Sequence, residues 1–137
     1  MTGNPDPASY LFVYGTLKKS FDNPFSKKLQ DASSYVADGT FTGCLYLVSW
    51  FPAAIYQPGS PQQVHGEIYR MEEPARLLPL LDEYEEVHTD PEQSLYVRRV
   101  IPVLASDKRI FNCWAYLYNR SAEGLRQLYG GRFTGPE

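Results

Sequence analysis

The sequence predicts an α+β domain built on a curved or closed sheet. Two observations carry that expectation. Strand-like runs dominate the chain, with only two or three helical stretches among them, and the long β-branched and aromatic run is broken by Gly43, where a strand can bend. A third bounds it: 137 residues, 43% hydrophobic and 21% charged, suffice for one domain with a real core.

Taken in order, the polar, proline-bearing start makes residues 1–9 a disordered N-terminal tail. Tyr10-Leu-Phe-Val-Tyr14 is a compact apolar run, expected as a buried strand that stops at Gly15-Thr16. Asn23-Pro24 pairs an N-cap residue with proline at the first helical position and opens a short helix through about Gln30. From Gly39 to Trp50 the β-branched and aromatic residues predict a strand bent at Gly43, and Phe51-Pro-Ala-Ala-Ile-Tyr56 turns into another short strand. After the loop Pro58-Gly-Ser-Pro61, Gln63 to Arg70 alternates as a strand. Glu73 to Glu86 is helical, His88 to Ser94 is a polar loop, and Leu95–Leu104 and Arg109–Tyr118 form a hairpin with Asp107 near its turn. Ala122 to Tyr129 is expected as a last short helix stopped by Gly130-Gly131, so the domain spans 10–129 and residues 130–137 form a C-terminal tail.

Glu85 is the residue that stands out. Successive helical residues turn by roughly 100°, which places Leu77, Leu78, Leu80, Leu81 and Tyr84 in one arc with Glu85 between Leu78 and Leu81. Asp82 sits at the edge of the arc, while Glu83 and Glu86 point away. Pro79 kinks the helix, but Glu85, Leu81 and Tyr84 all follow it and keep their relative phase. An inward carboxylate has two uses. It can pair with an arginine or accept from backbone amides, or it can stand desolvated with a raised pKa, as general acid–base chemistry requires.

Other function classes find little support. The net charge of -3 and the scattered basic pairs Lys18/Lys19, Lys27/Lys28 and Arg98/Arg99 give no stripe for nucleic acid, so no nucleic-acid partner is expected. No apolar run is long enough to span a bilayer and the N-terminus lacks a signal peptide's pattern, so no membrane association and a cytoplasmic location are expected. Cys44 and Cys113 read as buried free thiols; His65 and His88 stand alone, and no metal or organic cofactor is expected. The stretch Gly15-Thr-Leu-Lys-Lys-Ser20 lacks a phosphate loop's second glycine and Gly-Lys ending, and no Gly-x-Ser-x-Gly elbow occurs. What the turn Tyr14-Gly-Thr-Leu17 does offer is successive backbone N–H groups, a concavity suited to an anion or an oxyanion.

Six segments in order carry a resemblance: Tyr14-Gly-Thr-Leu17, Gly43-Cys-Leu-Tyr46 with Phe51-Pro-Ala53, Val64-His-Gly-Glu-Ile-Tyr69, Leu81-Asp-Glu-Tyr-Glu85, Tyr96-Val-Arg98 and Ala115-Tyr-Leu-Tyr118. Together, across residues 10 to 119, the chain resembles the gamma-glutamylcyclotransferase-like family, with its AIG2-like members. The resemblance implies a small mixed β-barrel with flanking helices and a cavity at the first strand's turn. It implies a small-molecule gamma-glutamyl substrate, cyclised to 5-oxoproline with release of an amine. Glu85, the last residue of Leu-Asp-x-x-Glu, takes the acid–base role; Tyr14, Gly15, Thr16 and Leu17 bind substrate, and Tyr96 lies near the cavity. The Tyr-Gly-Thr-Leu turn looks more like the gamma-glutamylamine branch and its short bacterial relatives. One departure is Glu86, where family members commonly carry glycine. It motivates an alternative, a non-catalytic module that keeps the cavity. A further reading is an interaction domain using exposed Trp50 and Phe51.

Overall fold

The computed structural model describes residues 9–19, 21–48, 51–85, 87 and 94–133. Its elements are β1 (Tyr10–Val13), α1 (Pro24–Ala32), β2 (Ser33–Val48), β3 (Phe51–Tyr56), β4 (Gln63–Met71), α2 (Pro74–Tyr84), β5 (Tyr96–Ala105), β6 (Ile110–Tyr118) and β7 (Arg126–Gln127). Hydrogen bonding runs β2-β4-β1-β6-β5, and β5 returns to β2 through Gly39 opposite Ala105 and Thr40 opposite Leu104. The ring is therefore closed, with β1 and β6 parallel and its other pairs antiparallel, so this is the small mixed barrel expected. Strands β3 and β7 extend from the far half of β2.

β2 makes closure possible. It pairs with β4 along one half and β3 along the other, which demands a bend. A register shift between Tyr35 and Ala37 and the missing side chain at Gly43 supply it; a Cβ on Gly43 would lie 2.1 Å from the Ile55 carbonyl oxygen. β1 explains itself by its neighbours. Phe12 points into the barrel with Phe41, Ile68, Val103 and Phe111, while Leu11 and Val13 point out, under the helices, with Leu29, Leu77 and Leu81. Buried on both faces, it reads as one apolar run.

Helix α1 starts as the sequence says. The Asn23 side chain accepts from the N–H groups of Phe25 and Ser26, and Ser26 Oγ accepts from the Asn23 N–H, a capping box followed by Pro24. Helix α2 is shorter than expected. It ends at Tyr84, and Glu85 is its C-cap with φ -84 and ψ 2, yet the Glu85 N–H still reaches the Leu81 carbonyl at 2.9 Å and so keeps its helical phase. Leu80, at the edge of the predicted arc, is exposed rather than buried.

The C-terminal region corrects the sequence reading. Residues 122–129 form no helix: the Leu125 N–H closes a turn onto Ala122, Gly124 takes φ +82, and Arg126–Gln127 join β2 as a strand. So few residues interrupted by glycine cannot sustain a helix without packing support. Within 130–133, expected to begin a tail, Gly131 and Phe133 are buried instead. Phe133 is 1% exposed and stacks on Phe21, and the His65 N–H donates to the Gly131 carbonyl. The expected N-terminal tail, apart from Ser9, and most of the 88–94 loop lie outside the described residues, as do Trp50 and Glu86.

Candidate active site

The turn after β1 and the end of α2 meet across a cavity of about 190 Å³. Every site residue expected from the sequence lines it: Tyr14, Gly15, Thr16, Leu17, Glu85 and Tyr96. Phe51, Pro52, Tyr84, Leu95 and Tyr116 add to the wall, with Phe12 and Val13 at its base in β1. Phe51, once a candidate for an exposed patch, thus faces the cavity, its ring tilted against Tyr96 at 6.3 Å.

Each part of the turn is held from behind. The Thr16 carbonyl accepts from the Asn23 side-chain amide at 2.8 Å, so the cap of α1 also fixes the turn. Leu17 is 2% exposed and anchors in the core beneath the helices. Gly15 is required for space rather than for a left-handed backbone: a Cβ there would lie 2.9 Å from Pro52 Cγ. Among the described residues no acceptor bonds the N–H groups of Gly15, Thr16 or Leu17. Three donors are therefore left on residues that line the cavity.

The tyrosines are mostly committed elsewhere. Tyr14 is buried, donates its hydroxyl proton to the Tyr116 carbonyl and accepts the Ala54 N–H at 3.3 Å. Burial, reinforced by the charge of Glu85, pushes its phenol well above the usual range. Tyr96 donates to the Pro52 carbonyl at 2.6 Å, fixing β3 against β5. The Tyr116 hydroxyl donates to Asp82 Oδ1 at 2.7 Å, and burial first, then Asp82, pushes its pKa up too.

Glu85 is different. Its position between Leu78 and Leu81 on the wheel is realised, and the residue is half-buried, keeping some contact with solvent through the cavity. Desolvation of its carboxyl pushes the pKa from 4.5 up to about 8. Among the described residues no donor bonds this carboxylate and no cation pairs with it; Arg98 goes to Asp82 instead. The end of a helix offers it carbonyls rather than N–H groups. Of the two uses open to an inward glutamate, the described residues offer no ion pair.

Asp82, Arg98, Tyr84 and Tyr116 were not singled out from the sequence. Asp82 and Arg98 lay inside quoted segments, but nothing in their spacing says that they bond to each other across the fold. Among the described residues no group of three His, Cys, Asp or Glu side chains is placed to hold a metal ion, and no helix is long and apolar enough to cross a membrane.

A closed mixed barrel with a glutamate facing a glycine turn defines a class, and comparison with known proteins places the chain in it. The family profile described as gamma-glutamyl cyclotransferase, AIG2-like, matches residues 11–135, and the protein belongs to that family. Gamma-glutamylaminecyclotransferase B of Danio rerio is 38% identical over 86 residues, covering 56% of this chain and 42% of that protein. Gamma-glutamylaminecyclotransferase A of the same organism is 33% identical over 82 residues, covering 56% of this chain and 50% of that one. The matches thus span half or less of these relatives' length. The crystal structure of an AIG2-like protein from Mus musculus superposes with a TM-score of 0.69 at 26% identity, covering 91% of this chain and 87% of that one. Both Danio rerio relatives carry the name of the gamma-glutamylamine branch that the Tyr-Gly-Thr-Leu turn resembles.

Proposed function

We propose that this protein is a gamma-glutamylamine cyclotransferase that converts a gamma-glutamyl amine to 5-oxoproline and the free amine, with Glu85 as general acid and base. The observation that carries the reading is the desolvated carboxyl of Glu85, unpaired among the described residues, facing the turn amides across a small cavity. A cavity of about 190 Å³ suits a small, compact ligand such as a folded gamma-glutamyl head.

The substrate's gamma-carbonyl rests over the amides of Gly15 to Leu17. Glu85, as carboxylate, takes a proton from the alpha-ammonium, and the freed amine attacks the gamma-carbonyl carbon of the same molecule. The new carbon–nitrogen bond closes the pyrrolidone ring, and negative charge collects on the carbonyl oxygen, where backbone donors are each worth about 3 kcal/mol. Collapse of that intermediate breaks the old carbon–nitrogen bond as Glu85 returns its proton to the departing nitrogen. The carboxylate then takes the second proton shed by the ring nitrogen, and the amine carries that proton off as an ammonium. Nothing is oxidised or reduced. Folding the substrate so that its two ends meet supplies much of the advantage, since effective molarities for oriented internal attack are very large. A carboxyl poised near neutrality gives and takes a proton with little penalty in either direction.

The cavity wall also favours amines over amino acids as leaving groups. None of the described residues that line it is cationic, so a departing group with its own carboxylate would find no partner there. The test is 5-oxoproline release from a panel of gamma-glutamyl amines and gamma-glutamyl amino acids. Turnover of amines well above that of amino acids supports the reading, and preference for the amino acids overturns it.

A further inference from the structure

Arg98 of β5 pairs with an α2 carboxylate that does not line the cavity, Asp82, which stands three residues before the Glu85 that does. Its Nε donates to Asp82 Oδ1 at 2.8 Å and its Nη2 to Asp82 Oδ2 at 3.1 Å, a two-pronged pair. The same Asp82 Oδ1 accepts the Tyr116 hydroxyl at 2.7 Å. From below, the guanidinium lies 4.5 Å over the ring of Trp114, which fixes its plane. One aspartate thus occupies the guanidinium of β5 and the hydroxyl of β6, and the Tyr116 that bears this hydroxyl lines the cavity with Glu85 and feels its charge.

We propose that Asp82 is a positioning residue that holds Arg98 and Tyr116 off Glu85, so that the carboxylate at the end of α2 meets the substrate's ammonium without a competing partner. The inference rests on the acid–base role proposed for Glu85. Among the described residues, the titratable groups facing Glu85 around the cavity are Tyr14 from the β1 turn, Tyr84 from its own helix, Tyr96 from β5 and Tyr116 from β6. These are phenols; Tyr14 and Tyr116 are held neutral by burial. Besides Glu85, the charges that act on the Tyr116 hydroxyl are Asp82 and Arg98, and these two pair with each other. Removing either leaves the other uncompensated one helical turn from Glu85.

The two substitutions therefore act in opposite directions. Asp82→Asn leaves the arginine charge, which favours the Glu85 carboxylate, so the acid limb of kcat/KM moves to lower pH by on the order of one unit. Arg98→Gln leaves the aspartate charge and moves that limb to higher pH. Arg98→Lys keeps the charge and leaves it near the wild-type position, and the double variant returns it there. A merely structural pair would lower activity in both single variants with the limb unmoved, and that result overturns the proposal. Titration of the Glu85 side-chain carboxyl by carbon-13 NMR in the same proteins needs no turnover and is the second readout. Opposite NMR shifts in proteins that release no 5-oxoproline support the positioning role while removing the cyclotransferase reading. No NMR shift in either single variant overturns it.

Discussion

The hydroxyls of Thr16 and Tyr84 lie 2.5 Å apart, which joins the turn after β1 to the last residue of α2, immediately before Glu85. The Tyr84 ring packs on Phe25 with centroids 4.5 Å apart, so the same side chain also ties in α1. Turn and glutamate are thereby held at one distance. Tyr84→Phe keeps the ring packing and deletes only the hydroxyl. A single such bond is worth about 1 kcal/mol, so kcat/KM should fall roughly 3- to 10-fold, mostly through KM, with the melting temperature lowered by only a few degrees. Steady-state kinetics and a thermal melt check this, and unaltered kcat/KM would show that the link does not position the site.

Glu85 should cost the fold stability at high pH. Its carboxyl is raised from 4.5 to about 8 in the native state, so native protein binds more protons than the unfolded chain across that window. Stability contributed at this position is thus present below the lower value and is lost as pH rises toward the upper one. Glu85→Gln removes the penalty. The variant should be more stable than wild type above pH 8, by ~1–3 kcal/mol after allowance for partial exposure, and no more stable near pH 4. Denaturant titrations at both pH values measure the difference; a gap that does not grow with pH would contradict the desolvation.

Gly15→Ala should narrow the cavity more than it unfolds the protein. The added Cβ would meet Pro52 Cγ at 2.9 Å, and Pro52 cannot easily retreat because its carbonyl is held by Tyr96 at 2.6 Å. KM for a gamma-glutamyl amine should rise about tenfold or more, equivalent to ~1.4 kcal/mol or more. Kinetics of the variant test it, and a KM equal to wild type would mean that the turn yields.

The thiols differ in the same readable way. Cys113 is 0% exposed, with its thiol pushed up to about 12 by burial, whereas Cys44 is half-buried beside Gln57 and Ser60. A thiol reagent at pH 8 should label Cys44 in the folded protein and reach Cys113 only on unfolding. Fast labelling of both in native buffer would contradict the core placement of β6.

Much of this was legible in the chain because local chemistry decided it. The capping residue Asn23, the doubly buried run Tyr10–Val13 and the helical phase of Glu85 each depend on neighbours within a turn or a strand. What stayed hidden depends on partners far apart in sequence. The Asp82–Arg98 pair joins a helix to a strand beyond the loop. Arg126–Gln127 become a strand only because β2 offers them an edge, and Phe133 is core only because the barrel end closes over it. Cys44, expected to be buried, is half-buried, since the outer face of a strand reads the same as the inner one without its neighbours.

The most direct test compares 5-oxoproline release from one gamma-glutamyl amine by wild type and by Glu85→Gln, with equal folding verified by circular dichroism. The account predicts release by the wild type and its near-complete loss in the variant. Equal release by both proteins would contradict Glu85 as the acid and base.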